Sequence, residues 1–222
     1  MKLSKPLIVL FLGRQGSGKG TQAEFLGEKF GLDYVGSGDL FRARQEIKDF
    51  SGKKIAAVMK KGGLHPTCII FKLWFDKFEE LKNKKNLKGF IIDGSPRKLP
   101  EAFLIDEALE WYEWNKNVKI FLINISEKEA IQRLTKRRMC QKCRKIIPFV
   151  GEFKKMEDCP ECQGKLIKRT DDTLPAIKER LRWFETDVQP VINFYRKTGR
   201  LIKINGEQSI EDVFKDVLKA VK

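Results

Sequence analysis

Six apolar residues, Leu7–Leu12, run straight into Gly13-Arg14-Gln15-Gly16-Ser17-Gly18-Lys19-Gly20-Thr21 and then into an amphipathic stretch that reaches Phe30. A strand that breaks into closely spaced glycines and restarts as a helix uses backbone geometries that a Cβ would block, and successive N–H groups then face one spot. The start of the following helix adds its dipole and its unsatisfied donors, and Lys19 adds a full positive charge. The pattern departs by one residue from the common GxxxxGK[ST] loop, because Gly20 follows the lysine and Thr21 comes after it. A glycine-rich turn alone is also a plain strand-to-helix connection. Strand, spacing, lysine and helix together favour a nucleotide phosphate, held by Gly13, Gly16, Ser17, Gly18, Lys19, Gly20 and Thr21.

Further apolar runs of strand length stand at 33–35, 90–92, 118–123 and 201–204, with longer amphipathic stretches between them. That alternation predicts an α/β fold, a central parallel sheet flanked by helices. Ser126 and Glu129 form a capping box for a helix expected to run through Met139, Thr173 precedes Pro175 at another start, and Ser209 opens the last helix. Pro190 should break the helix expected over 174–197. The aromatics Phe71, Trp74, Phe75, Phe78, Trp111, Trp114, Trp183 and Phe184 fall at helical spacing and are expected in the core, as is the thiol of Cys68. Two segments interrupt the rhythm, 36–67 and 136–172, and both are too poor in apolar residues to fold alone. With 222 residues, the chain has room for one core, made of 1–35, 68–135 and 173–222, carrying both segments as flaps.

The basic flap 136–172 contains Cys140-Gln-Lys-Cys143 and, after residues 144–158, Cys159-Pro-Glu-Cys162. Paired CxxC units at this distance are the spacing of a structural zinc site, and four thiolates leave no open position for catalysis. Iron or disulfides are the other fillings of such a set. Lys142, Arg144 and Lys145 would offset its negative charge, and a metal would staple a flap that buries little apolar surface. Lysine and arginine (45) exceed aspartate and glutamate (30), a formal charge of +15 that suits anionic partners. No apolar run is long enough for a secretory signal or a membrane span, so a cytoplasmic chain with no membrane partner is expected.

The glycine loop resembles the GxxGxGKGT variant of the adenylate kinase family, with Gln15 where that family usually has proline. Gly36-Ser37-Gly38-Asp39-Leu40-Phe41-Arg42 is similar to its STGDLLR segment, and Asp93-Gly94-Ser95-Pro96-Arg97 to its DGFPR. Arg133-Leu134-Thr135-Lys136-Arg137-Arg138 resembles the start of its lid, and Arg169-Thr170-Asp171-Asp172 with Arg180 the RxDD…R that closes it. The resemblance implies a P-loop kinase with a monophosphate-binding helical flap and a zinc-binding lid, acting on ATP and AMP with Mg²⁺. It implies that Arg42 and Arg97 hold the acceptor's phosphate, within a site that includes Ser37, Gly94 and Glu101. Arg133, Arg137, Arg169 and Arg180 would surround the transferring group, Arg133 also near the ATP base, while Asp93 would hold the hydration shell of Mg²⁺. Lys19, Arg97, Arg137, Arg169 and Arg180 would be the catalytic set. A monomer is expected, with no nucleic acid partner.

Phosphoryl transfer asks for alignment and charge neutralisation rather than acid–base help, and planar guanidinium groups suit it. The single histidine, His65, falls in an expected loop, consistent with that chemistry. Three positions differ from the family pattern within the acceptor site: Ser37 for threonine, Ser95 for an aromatic, and Glu101 for the glutamine that reads adenine. A carboxylate only accepts, which fits the two adjacent donors of guanine better than the mixed edge of adenine. A kinase for another nucleoside monophosphate, GMP favoured among them, is therefore an alternative, unless Glu101 points elsewhere or pairs with Lys98. A nucleotide-switched zinc protein that contacts nucleic acid is the alternative from outside the enzymes, motivated by the charge and by Lys82, Lys84, Lys85 and Lys88.

Overall fold

The structure, a computed structural model, describes residues 5–169 and 172–221. Thr170 and Asp171 of the lid-closing motif lie outside them. Five parallel strands form the main sheet: β1 (Leu7–Leu12), β2 (Asp33–Gly36), β3 (Gly89–Asp93), β4 (Val118–Asn124) and β8 (Leu201–Asn205), in the order β2-β3-β1-β4-β8. The chain leaves β1 for β2 and β3 on one side and returns for β4 and β8 on the other. The carboxyl end of β1 is thus the switch point where open α/β sheets bind ligands.

Every residue of β1 is buried, and its alternation divides the core. Ile8, Leu10 and Leu12 face a layer formed by α4 (Thr67–Lys82), α5 (Leu99–Trp111) and α8 (Gln189–Lys197), with Trp74, Phe78, Ile105 and Tyr195 among its fully buried residues. Leu7, Val9 and Phe11 face α1 (Lys19–Phe30) and α9 (Ile210–Val221), against Ala23, Leu26, Val213 and Val217. A strand covered on both faces has no polar positions, which is why it reads as a continuous apolar run.

Between β2 and α4 stand α2 (Ser37–Glu46) and α3 (Phe50–Lys60), the two short helices expected there. α6 (Glu127–Lys136) begins as predicted, with Ser126 Oγ accepting from the Glu129 N–H. The other half of the capping box is different: Glu207 Oε1 accepts from Ser126 N at 2.7 Å, while Glu129 turns to Arg133. The helix also stops at Lys136, short of the expected Met139. Met139 belongs instead to β5 (Arg138–Cys140), which pairs antiparallel with β6 (Ile146–Ile147) and β7 (Leu166–Ile167) in a separate small sheet. Pairing to later strands decides that boundary, and local capping signals carry no information about it.

α7 (Leu174–Trp183) is capped by Thr173 and widens into a π-helical turn at Phe184–Val188 before α8, which carries Pro190 in its first turn. The missing N–H of proline ends the regular ladder as expected. Two core expectations fail. Trp111 is 74% exposed at the end of α5, and Cys68 lies exposed in the first turn of α4. No helix among the described residues is long and apolar enough to cross a membrane.

Candidate active site

The loop between β1 and α1 winds through positive φ at Gly13, Gly16 and Gly18. At Gly13 room matters as much as φ, since a Cβ would stand 2.4 Å from the Ile123 carbonyl oxygen. Lys19 Nζ donates to the carbonyl oxygens of Gly13 and Arg14, each at 2.8 Å, and folds its charge into the loop. Burial, with Arg97 and Arg137 nearby, lowers its pKa to about 8, although Asp93 acts in the opposite direction. Ser17 is buried in the same loop, and Gly20 lies in ordinary contact with Asp93 Oδ2 at 3.6 Å from where its Cβ would be.

Ladder register brings in the rest. Phe11 pairs with Asp93 across β1 and β3, and Gly36 pairs with Asp93 across β2 and β3, so Asp93 flanks the loop at the sheet's carboxyl edge. The turn after it carries Arg97, whose Nε donates to Gly94 O at 2.6 Å and whose guanidinium stacks over Trp183 with 5.4 Å to the ring centroid. Its two terminal amino groups make no hydrogen bond among the described residues. Burial depresses the Arg97 pKa, Glu101 and Asp93 oppose the shift, and Arg180 adds to it. The π-helical turn explains part of this placement. Trp183 underlies Arg97, Phe184 lies 4.6 Å from the Arg14 guanidinium, and Glu185 pairs with Arg14.

Arg137 and Arg180 meet on one carboxylate. Asp172, its side chain 4% exposed, accepts from Arg137 Nη2 at 2.7 Å and from Arg180 Nη1 at 2.8 Å, and Arg137 Nε makes a second bond to it. The two-point contact fixes the plane of Arg137, and the shared oxygen holds Arg180 beside it. Burial lowers the Arg137 pKa, Asp172 offsets this, and Arg169 and Arg180 are close enough to add to the lowering. Lys19, Arg97, Arg137, Arg169 and Arg180 therefore form one connected electrostatic group. Arg42 and Arg133 stand apart from it. Arg42 pairs with Asp39 and is half-exposed on α2, whereas Arg133 donates to Glu129 and to Gly206 O at 3.0 Å.

Across the flap, a narrow cavity is lined by Ser37, Phe41, Leu64, His65, Ile70, Ser95, Arg97 and Glu101. Glu101 is 3% exposed, and its Oε2 accepts from the Arg97 N–H at 2.6 Å. Burial raises its pKa against the pull of that N–H and of Arg97. Lys98 does not pair with it, donating instead to His65 O at 3.1 Å. The hydroxyls of Ser37 and Ser95 bond to each other, and Trp74 Nε1 donates to Ser37 at 3.4 Å, so Ser95 fills with a polar contact the place expected to be aromatic. His65 is buried and stacks on Phe41 with ring centroids 3.8 Å apart.

In the small sheet the sulfurs of Cys140, Cys143, Cys159 and Cys162 lie within 4.8 Å of one another, with Cys140–Cys162 and Cys143–Cys159 both at 3.5 Å. Tetrahedral thiolates at about 2.3 Å from a metal have edges of about 3.8 Å, whereas a disulfide requires about 2.05 Å. The set fits a closed four-thiolate metal centre. The Cys143 N–H donates to Cys140 Sγ and favours its thiolate, and Gly164 leaves room, since its Cβ would come within 2.8 Å of that sulfur. Lys145 is engaged by carboxylates beside this centre. It bridges Glu161 (2.6 Å) and Glu24 of α1 (2.9 Å), tying the small sheet to the core.

Tyr34, Asp172 and Trp183 contact the candidate residues directly, and none of the three was singled out as a site residue from the sequence. Asp172 lay inside a recognised motif, which was its available signal. Tyr34 offered none, because its contact to Asp93 depends on ladder register.

Residues 11–200 match the family described as adenylate kinase. The chain is 37% identical over 214 residues to the adenylate kinase of Borrelia recurrentis (strain A1), covering 96% of this chain and 95% of that one. It is 34% identical to the adenylate kinase of Chlamydia pneumoniae over 219 residues, 99% of each. To that of Archaeoglobus fulgidus it is 35% identical over 211 residues, covering 94% of this chain and 95% of the relative.

Proposed function

The chain belongs to the adenylate kinase family, phosphotransferases that move a phosphoryl group from ATP to AMP, and from that premise we propose how its own residues divide the work. The observation that carries the reading is the convergence of Lys19, Arg97, Arg137 and Arg180 at the switch point of the sheet, near enough to shift one another's proton affinity. Asp93, Glu101 and Asp172 offset that crowding only in part, and a strongly anionic ligand would relieve it further.

The glycine loop takes the donor triphosphate, and Lys19 exchanges the carbonyls of Gly13 and Arg14 for phosphate oxygens. Arg97 and Arg42 hold the acceptor's phosphate, whose oxygen is already a competent nucleophile and requires no general base. Arg137, Arg169 and Arg180 stabilise the charge on the equatorial oxygens of the transferring group, with Asp172 fixing the fork of Arg137 and holding Arg180 next to it. Arg133 borders the donor base. Ser37, Gly94 and Glu101 border the acceptor nucleoside. Asp93 holds the hydration shell of the Mg²⁺ that accompanies ATP. Segments 36–67 and 136–172 act as the two covers, and their closure excludes water from the reacting phosphoryl group. The working compartment is the cytoplasm.

The zinc-loaded enzyme, given Mg-ATP with AMP, GMP, CMP or UMP in turn, is expected to form diphosphate fastest with AMP. Preference for GMP would reassign the acceptor site through Glu101, and RNA binding without diphosphate formation would overturn the reading.

Zn²⁺ is the metal proposed for the four thiolates, and a structural one. Treatment with a strong chelator is expected to release one zinc per chain and to expose the amides of 138–167 to hydrogen exchange. The main sheet stays protected, and diphosphate formation slows by about tenfold or more, because the cover no longer closes as a body. Retained protection after zinc loss would contradict this.

A further inference from the structure

Tyr34 sits on the edge strand β2, two residues before Gly36, and Gly36 is the ladder partner of Asp93. Residues two apart on a strand point to the same face and stand about 7 Å apart, so a side chain at 34 that reaches Asp93 must lie across residue 36. Tyr34 does so: its hydroxyl donates to Asp93 Oδ2 at 2.7 Å. Gly36 makes this possible. A Cβ there would stand 2.5 Å from Tyr34 Cε1 and 2.6 Å from Asp39 Oδ2. The backbone of Gly36 is ordinary (φ −88°, ψ 116°), so room rather than conformational freedom is what glycine supplies. The second oxygen of Asp93, Oδ1, is buried and finds no hydrogen-bond partner among the described residues. A buried acceptor left open beside a phosphate loop marks a place meant for a ligand.

We propose that Tyr34 is a positioning residue for phosphoryl transfer: its hydroxyl holds one oxygen of Asp93 so that the other is presented to the hydrated Mg²⁺ of bound ATP, and Gly36 is the complementary gap that seats its ring. The proposal rests on the reading of Asp93 given above. Tyr34 is 43% exposed, yet the packing around its hydroxyl, the charge of Asp93 and the bond to it all raise its pKa, so the hydroxyl remains a donor throughout the working range. Partners that orient direct metal ligands commonly change metal affinity by about 10- to 100-fold when removed, and because Asp93 would reach Mg²⁺ through water the low end of that range applies to Tyr34.

The test is a titration with ATP, once with Mg²⁺ and once in EDTA, on the wild type, Tyr34→Phe, Gly36→Ala and Asp93→Asn, with thermal midpoints recorded for each. In the wild type, Mg²⁺ is expected to tighten ATP binding, and Asp93→Asn to abolish that increment. Tyr34→Phe reduces the increment about tenfold and leaves the metal-free affinity and the KM for AMP unchanged. Gly36→Ala, by displacing the ring, lowers it as much, and the double variant loses no more than either single one. If Asp93→Asn leaves the increment intact, the role of Asp93 and the proposal fall together. If Asp93→Asn abolishes it while Tyr34→Phe changes only the thermal midpoint, the role of Asp93 stands and Tyr34 is merely structural.

Discussion

Replacing Lys19 by methionine is expected to lower kcat about 10³-fold, a loss of about 4 kcal/mol of transition-state stabilisation, in a protein that remains folded. The lysine holds the only ammonium charge proposed within the glycine loop, and methionine preserves its bulk. The pH profile gives the sharper signature. With a pKa near 8, Lys19 in the free enzyme is charged below that pH and loses its charge above it. Wild-type kcat/KM for ATP should therefore fall on the alkaline side of about pH 8. The limb on kcat should lie higher, because bound polyphosphate favours the ammonium. In Lys19→Met the alkaline limb near pH 8 disappears.

Stability has the opposite dependence. Between the folded value near 8 and the ordinary 10.5, the unfolded chain binds the extra proton, so this group's contribution to stability rises with pH across that window. At neutral pH the methionine variant should melt no lower than wild type. A variant that unfolds at assay temperature, or that keeps a wild-type rate and alkaline limb, would remove Lys19 from the site.

Arg97→Ala has the second large effect. Its Nε is fixed on Gly94 and its Cζ stands 5.4 Å from the Trp183 ring centroid, so in the proposed role the terminal amino groups meet a phosphate with little left to order. The expected result is a loss of about 10³-fold in kcat/KM for AMP, with the affinity for ATP changed by about threefold or less. Arg97→Lys is expected to recover little, since an ammonium neither stacks on the indole nor forks around a phosphate. Thermal stability should hold, because the desolvation cost of the buried guanidinium and its repulsion from Arg180 disappear together with its attraction to Glu101 and Asp93. Steady-state kinetics with each substrate varied in turn distinguishes this from a general collapse of the site. Equal losses toward ATP and AMP would place Arg97 between the substrates rather than on the acceptor.

Legibility followed the range of the interactions. The glycine loop, the caps at Ser126, Thr173 and Ser209, the break at Pro190 and the CxxC pairs are local, and each appears in the structure where the residues place it. Trp111 and Cys68 show the limit of periodicity. It identifies residues that share a helix face, but not where along α4 or α5 the covering layer ends. The end of α6 was hidden for a related reason, since strands β6 and β7, distant in sequence, claim Met139. Glu101 was legible as a candidate residue of the site, and it lines the cavity beside the flap, while its bond to the Arg97 N–H depended on the turn between them. The joining of Arg137 to Arg180 through Asp172 and the reach of Tyr34 across Gly36 are tertiary facts that become visible only with the ladders in register.

The most direct measurement is calorimetric titration with a bisubstrate analogue, two adenosines joined end to end through a polyphosphate chain. Binding of one molecule per chain, far tighter than ATP or AMP, displacing both nucleotides and weakened by Arg97→Ala and Lys19→Met alike, is the expected result. Two independent molecules per chain, or an affinity no better than that of ATP, would show that donor and acceptor do not meet among these cations.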